Sequence, residues 1–304
     1  MRGAAPPGYS GLALFSDVVS LAPRDVWAVG ANITDAPSSV LIEHWDGSAW
    51  RVYPVSVGYG KLVSIARVPH TTHLWAVGGF LGDKQLAAFW DGARWTFMRL
   101  PVPPSATFSM GVNAVAPVAD DDVWAVGSDS DLDVISSPGR TFASHWDGRI
   151  WTIVPTPTFG RYDSPALLGA TSVPGSTQAW AVGFVSHNDG SETTLTEWYI
   201  AGRWRVVPSP HPGADSFLTD VVARGGRDVW AVGTWFDGTQ SRALVEHYSN
   251  GRWRVERLPN VPGPYDALFG VTRVPRASSD RLWAVGTATA TGAAASRTLA
   301  LRRR

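Results

Sequence analysis

Two aspartates, Asp17 and Asp220, occupy equivalent places in an internal repeat, each shortly ahead of a segment reading Trp-Ala-Val-Gly. Counted to the same strand start, the other copies carry Ser64, Asn113, Gly169 and Gly270. If these positions ring one axis, the two carboxyl groups face a shared space. Desolvation and mutual repulsion would then separate their pKa values, as an acid/base pair requires. The competing reading is that they cap backbone N–H groups at strand starts. Further candidates lie in the connections that such a repeat gathers at one end: Tyr59 and Lys61, Phe108, Arg161-Tyr162-Asp163, His187, His211 with Asp215, Trp235-Phe236-Asp237 and Tyr265-Asp266. Asp17, Asp220, His211, Tyr162 and Lys61 are the candidate proton-transfer groups. Tyr59, Asn113, Phe108, Arg161, Trp235, Phe236 and Tyr265 are the candidate substrate contacts. Aromatic and titratable side chains converging on a concave site are the usual composition of an active site.

Other chemistries find no support. The sequence has no cysteine, which excludes thiolate nucleophiles, disulfides and Cys-ligated zinc. There is no phosphate loop, no dinucleotide fingerprint and no Gly-x-Ser-x-Gly elbow, so no cofactor is expected. Asp129, Asp131 and Asp133 alternate in the longest insertion, Ser128 to Arg140, in a way that could offer oxygens to calcium. Val134 follows where an EF-hand loop needs Gly, and the run reads as a solvated acidic loop. His44, His145 and His247 share one repeat position, where the second and fourth copies are aligned with Phe89 and Glu197. Symmetry holds them apart, so they read as structural histidines bonded to a neighbouring strand. With no His spacing typical of zinc ligands, no metal is expected.

Lys plus Arg equals Asp plus Glu at 26 each, leaving no net field to draw the chain to nucleic acid or an anionic membrane. A small molecule is the expected partner. No apolar run is long enough for a membrane helix, and the opening Met-Arg-Gly-Ala-Ala-Pro-Pro-Gly lacks the apolar stretch of a signal peptide. The expectation is a cytoplasmic location, the alternative a secreted domain whose signal has been removed.

The elements that must position these side chains come from the repeat. Trp-Ala-Val-Gly begins at Trp27, Trp75, Trp124, Trp180, Trp230 and Trp283, at spacings of 48, 49, 56, 50 and 53. A second signature follows in three copies: Trp45-Asp46-Gly47 with Trp50, Trp90-Asp91-Gly92 with Trp95, and Trp146-Asp147-Gly148 with Trp151. The fourth and fifth copies are looser, with Trp198 to Gly202 then Trp204, and Tyr248 to Gly251 then Trp253. Each unit resolves into four strands, such as Asp17 to Leu21, Val26 to Gly30, Val40 to Trp45 and Trp50 to Val55, with a glycine turn closing the last hairpin. Four short strands repeated at roughly 50 residues predict an all-β, six-bladed β-propeller. Its single domain spans 1–304, with blades at about 10–57, 58–103, 104–158, 159–211, 212–262 and 263–304. The signature tryptophans are expected to wedge between blades. The sixth copy has no Trp-Asp-Gly-x-x-Trp element. Its ring closes by pairing of Met1 to Tyr9 or leaves a three-stranded blade; Pro6 and Pro7 favour the latter, because proline removes a ladder donor.

The pattern resembles bacterial propellers with a Trp-Ala-Val-Gly strand followed by an Asp-box-like or Kelch-like turn and tryptophan. The turn Asp46-Gly47-Ser48-Ala49-Trp50 is shorter than the Ser-x-Asp-x-Gly-x-Thr-Trp of Asp-box proteins. The resemblance concerns fold. For function, the residues lead to a cofactor-independent enzyme working by acid/base chemistry on a small, secondary-metabolite-like molecule in an axial pocket. Dehydration, conjugate addition, cyclisation or isomerisation would suit it. A carbohydrate-binding module, with Tyr162, Trp235 and Tyr265 stacking on sugar rings, and a protein-interaction scaffold are the alternatives.

Overall fold

The computed structural model describes residues 12–34, 37–55, 57–80, 85–103, 110–129, 139–258, 265–274, 281–289 and 297–303. Phe108, Asp131, Asp133 and Met1 to Tyr9 lie outside these residues. All regular structure in the described residues is β. The first meander comprises β1 (Ala13–Ala22), β2 (Asp25–Asn32), β3 (Ser39–Trp45) and β4 (Trp50–Val52). The second is β5 (Gly60–Arg67), β6 (Leu74–Phe80), β7 (Gln85–Trp90) and β8 (Trp95–Arg99). The third is β9 (Met110–Ala119), β10 (Asp122–Asp129), β11 (Arg140–Trp146) and β12 (Trp151–Ile153). The fourth is β13 (Ser164–Ser172), β14 (Ala179–Ser186), β15 (Glu192–Ile200) and β16 (Arg203–Val206). The fifth is β17 (Asp215–Gly225), β18 (Asp228–Phe236), β19 (Ser241–Ser249) and β20 (Arg252–Val255), and the last is β21 (Tyr265–Arg273), β22 (Leu282–Thr289) and β23 (Arg297–Arg303).

The first three meanders are separate four-stranded antiparallel sheets. The last three merge into one eleven-stranded, curling sheet, joined only by the single parallel pairs Glu192↔Asp215 and Ser241↔Tyr265. Successive first strands pack side by side from β1 through β21, and residues of all six line one cavity. The architecture is therefore all-β and propeller-like.

Alternation along β2 explains the signature. Trp27 and Val29 join a core with Leu62, Leu74, Ala76 and Leu86 of the second meander. Ala76, on the opposite face of its strand from Trp75, lets that core close tightly. The first four signature tryptophans are then covered by aromatic rings of the next hairpin: Trp27 by Trp90 and Trp95, Trp75 by Trp146 and Trp151, Trp124 by Tyr199 and Trp204, and Trp180 by Tyr248 and Trp253. The second member of each pair meets it edge-on, the geometry favoured by the ring quadrupole. Trp283, in the last meander, is 39% exposed, whereas Trp180 is fully buried.

The glycine that ends each signature answers a different demand. A Cβ on Gly30 would stand 1.9 Å from the Leu14 carbonyl oxygen; on Gly127 and Gly183 the distance to the facing carbonyl falls to 1.8 Å. Every first strand carries a β-bulge opposite this point. The extra residues are Ser16, Val63, Asn113, Leu168, Thr219 and Phe269. The bulge drives backbone onto the neighbouring strand, and only glycine leaves room.

The register corrects two alignments. Asp17, Ser64, Gly169, Asp220 and Gly270 pair with the signature valines, but in the third meander that partner is Ala114, with Asn113 one step earlier at the bulge. On the third strands, Trp198 rather than Glu197 stands opposite Trp180 and matches His44, Phe89, His145 and His247. Glu197 matches Glu43 and Glu246 instead. At Asn113 a residue count runs into the bulge, whereas β14 and β15 pair without one; there Tyr199, five residues before Trp204, holds the place of Trp45, Trp90 and Trp146.

Candidate functional site

The six first strands enclose a cavity of about 390 Å³. Its lining includes Ser16, Asp17, Ser64, Asn113, Gly169, Thr219, Asp220, Phe269 and Gly270, so polar groups from four meanders share it with one aromatic ring. Asp17 accepts the N–H of Val18 at 2.7 Å and, through its other oxygen, the N–H of Ile65 in the second meander at 2.8 Å. Asp220 repeats the arrangement with Val221 at 2.8 Å and Val271 at 2.7 Å. Each aspartate thus clasps its own strand to the next meander while facing the cavity. Ser64 takes the N–H of Val115 in the same way, and Asn113 and Thr219 donate to the carbonyls of Leu167 and Leu268.

Burial raises the pKa of both acids. It pushes Asp220 up to about 7, against its two N–H bonds, and the nearby charge of Asp17 adds to the rise. Burial also raises Asp17, opposed by the N–H groups of Ile65 and Val18 and by the Ser64 hydroxyl. An oxygen that accepts one N–H keeps a lone pair, so each carboxyl can still exchange a proton with a molecule in the cavity. The site can therefore hold a carboxylic acid near neutral pH beside hydroxyl and amide groups able to orient a hydroxylated molecule.

Of the candidate residues, the fold brings Asp17, Asp220 and Asn113 into this cavity, and leaves Lys61, Tyr162, His211, Tyr59, Arg161, Trp235, Phe236 and Tyr265 outside its lining. Lys61 and His211 are exposed. Tyr59, Tyr162 and Tyr265 are more than half exposed, the first two on connections entering a first strand and Tyr265 at the first residue of β21, hence at one end of the sheets. The Arg161 guanidinium lies 5.7 Å from the Tyr162 ring. Trp235 packs against the core between the fourth and fifth meanders, and Phe236 closes its strand by accepting the Ala214 N–H through its carbonyl. Phe108 lies outside the described residues.

Other predicted groups form local structure. Asp46, Asp91, Asp147 and Asp237 each accept two backbone N–H groups of their own turn, and all four lie below the usual carboxylate range, Asp46 and Asp237 chiefly through the Ser48 and Thr239 hydroxyls and Asp91 and Asp147 chiefly through the backbone N–H bonds. His44, His145 and His247 bond Asp25, Asp122 and Asp228 at the start of the neighbouring strand, at 2.9, 2.8 and 2.9 Å. His187 bridges Asp163 and Thr193, both at 2.9 Å, tying two connections at the open end. Among the described residues no cluster of three metal-ligating side chains occurs. The same residues contain no helix long and apolar enough to cross a membrane.

Sequence reasoning missed Ser16, Thr219 and Phe269 as cavity residues, because their facing depends on the bulge. The repeated glycine opposite was the available signal. It also missed Glu43, Glu197 and Glu246, buried opposite the signature alanines. Burial raises all three, Glu197 and Glu246 to about 8, and among the described residues only Glu197 has a side-chain bond, from the Thr141 hydroxyl at 2.9 Å.

No protein-family model matches the chain, and no curated protein matches it. Solved structures do. The Aleuria aurantia lectin in complex with Fucα1-6GlcNAc aligns over 95% of this chain and 91% of its own, at 12% identity and a TM-score of 0.55. An α-L-arabinofuranosidase of Fusarium graminearum, in complex with an iminosugar inhibitor, aligns over 96% and 93% at 12% identity and a TM-score of 0.55. An ulvan lyase, a polysaccharide lyase, aligns over 94% and 78% at 8% identity and a TM-score of 0.58. At these identities the likeness shows a shared propeller fold, on which binding modules and enzymes both occur.

Proposed function

We propose that the chain is a six-bladed β-propeller, and that it is a cofactor-independent enzyme acting on a small hydroxylated molecule in the axial cavity. The carrying observation is the pair Asp17 and Asp220 facing one cavity of about 390 Å³, with burial keeping Asp220 protonated up to about pH 7. Asp220 serves as general acid toward a leaving hydroxyl or carbonyl oxygen, and Asp17 receives the proton removed from the substrate. Asn113, Ser64 and Thr219 orient polar groups while Phe269 contacts the carbon skeleton. Proton transfer of this kind suits dehydration, conjugate addition, cyclisation or isomerisation, and the disaccharide and iminosugar bound in two of the similar structures make sugars the first substrates to try.

Saturation-transfer NMR with a panel of monosaccharides and hydroxylated cyclic compounds tests the site. Binding that weakens at least tenfold in both Asp17→Asn and Asp220→Asn, with turnover of a bound compound falling above about pH 7, is the expected result. Unchanged binding in folded forms of both variants sinks the axial site. A second reading rests on Tyr59, Tyr162 and Tyr265, exposed at one end as sugar-stacking platforms. A glycan array decides for it if binding disappears in the triple tyrosine-to-alanine variant and survives in Asp220→Asn.

A further inference from the structure

A run of hydrogen bonds from Asp163 through His187 to Thr193 stands at the open end of the fourth meander, and none of the three residues lines the axial cavity. Asp163 lies just ahead of β13, His187 follows the last residue of β14, and Thr193 is the second residue of β15. Each is held by its own backbone. The Asp163 N–H bonds the Gly160 carbonyl at 3.1 Å while Oδ2 accepts the Gly160 N–H at 2.9 Å, which leaves Oδ1 to meet the His187 Nδ1. His187 donates its N–H to the Ser191 carbonyl and accepts the Gly190 N–H, both at 2.9 Å. Thr193 pairs with Val185 in the β14–β15 ladder, and branching at its Cβ restricts where the hydroxyl can point.

The direction of the bonds follows from what each group can do. A carboxylate only accepts, so Nδ1 carries the hydrogen that Asp163 receives. In the neutral ring Nε2 is then a base, and the Thr193 hydroxyl donates to it at 2.9 Å. Hydroxyl, imidazole and carboxylate joined in this order are the constellation of acyl-transfer sites, which is recognised by geometry and not by a sequence motif. His44, His145 and His247 are arranged otherwise: they direct Nε2 at a carboxylate and pack on a signature tryptophan. Around His187 there is a second acid, Asp189, held below the usual carboxylate range by the Ser191 hydroxyl and N–H, with the charge of His187 adding to the effect. Two carboxylates therefore favour the imidazolium that forms when Nε2 takes a proton. The site is also reachable. The His187 side chain is 33% exposed and Thr193 is half-buried, while Val185 and Phe159 pack into the core between the third and fourth meanders.

We propose that Thr193, His187 and Asp163 form a second site, one that hydrolyses small esters, with Thr193 as nucleophile, His187 as its base and Asp163 as the residue that positions the ring. Thr193 Oγ1 attacks the ester carbonyl, and its proton passes to Nε2 as the new C–O bond forms. The bond to the alcohol then breaks, and the alcohol leaves with the proton from Nε2. Water adds to the acyl carbon and gives its proton to Nε2; the bond to Thr193 breaks, and Nε2 returns the proton to Oγ1. The substrate class is small esters of acidic alcohols, whose departure needs no more help than that one proton.

The test uses the full chain and para-nitrophenyl acetate. Release of para-nitrophenolate above the rate of the heat-unfolded chain is expected, and acid quenching during turnover should trap one acetyl group that peptide mass spectrometry places on Thr193. His187→Gln should slow the reaction about a hundredfold, and the isosteric Thr193→Val should abolish it, whereas Thr193→Ser should retain it. Asp163→Asn should lower kcat about tenfold or more with KM unchanged, a split that loss of local structure would not give. Circular dichroism checks that each variant is folded. The proposal is overturned by a rate no higher than that of the unfolded chain, by acetyl groups found only elsewhere, or by the parental rate in folded Thr193→Val or His187→Gln. Because the acetyl group is mapped on the unsubstituted chain, the outcome stands even where a variant fails to fold.

Discussion

At the residue scale, the buried carboxyl groups offer the sharpest test of the energetics. Glu197 has no exposed surface, one of its oxygens accepts the Thr141 hydroxyl and the other has no partner among the described residues. Its pKa is raised to about 8 because burial disfavours the charge. A raised carboxyl contributes stability that is fully present below the unfolded value near 4.5 and is lost as pH rises through about 8. Glu197→Gln mimics the protonated acid, so it should match the parent within about 1 kcal/mol at pH 5 and exceed it by on the order of 3 kcal/mol at pH 9. Urea denaturation at the two pH values measures the difference; equal offsets at both would show that Glu197 is not held neutral. The histidine clamps belong to this scale as well. His247 bonds Asp228 and stacks on Trp230 at 3.9 Å, so His247→Ala should cost about 1–2 kcal/mol in the same assay.

The element scale is ruled by the bulge in each first strand. It turns two consecutive residues toward the axis and forces glycine opposite. Gly183→Ala would set a methyl group 1.8 Å from the Ala166 carbonyl oxygen, so a loss of about 3 kcal/mol or more is expected. Gly190 provides the contrast, since its φ of +84° strains any side chain while nothing lies within 4 Å of its Cβ. Gly190→Ala should cost only about 1 kcal/mol. Thermal unfolding of the two variants separates a clash with the backbone from a conformational preference. The composition of the cavity follows from the same bulge: Asn113 and Thr219 sit at the extra residue and bond the next meander, as Asp17, Ser64 and Asp220 do from the following position.

Across the whole molecule, each meander packs against its sequence neighbours, so stability is a sum of junctions and the ends are the weak members. Trp180 is fully buried between two meanders and Trp283 is 39% exposed. Trp180→Ala should therefore lose about 3–5 kcal/mol and Trp283→Ala about 1 kcal/mol, read from denaturant midpoints. Hydrogen exchange should be fastest in β21 to β23, where Phe269, Trp283 and Val285 are exposed, and slowest in β14 and β18. Equal protection throughout would mean that the last meander is covered in solution.

The sequence by itself determined the strand-rich class, the six repeated Trp-Ala-Val-Gly segments and the packing of the signature tryptophans. These follow from spacing and side-chain size, which a linear pattern carries. It also placed Asp17 and Asp220 at matching positions, because matching positions in a repeat return to the same place around an axis. Only the tertiary structure decided that Asn113 belongs one residue earlier, that Trp198 and not Glu197 joins the histidines, and that Lys61, Tyr162 and His211 stay outside the cavity. The reason is physical. Facing within a strand reverses at a single bulge, and loops of unequal length carry their side chains to places that no count of residues predicts. Burial, which sets the protonation of Asp220 and Glu197, is likewise a property of neighbours brought together from different meanders.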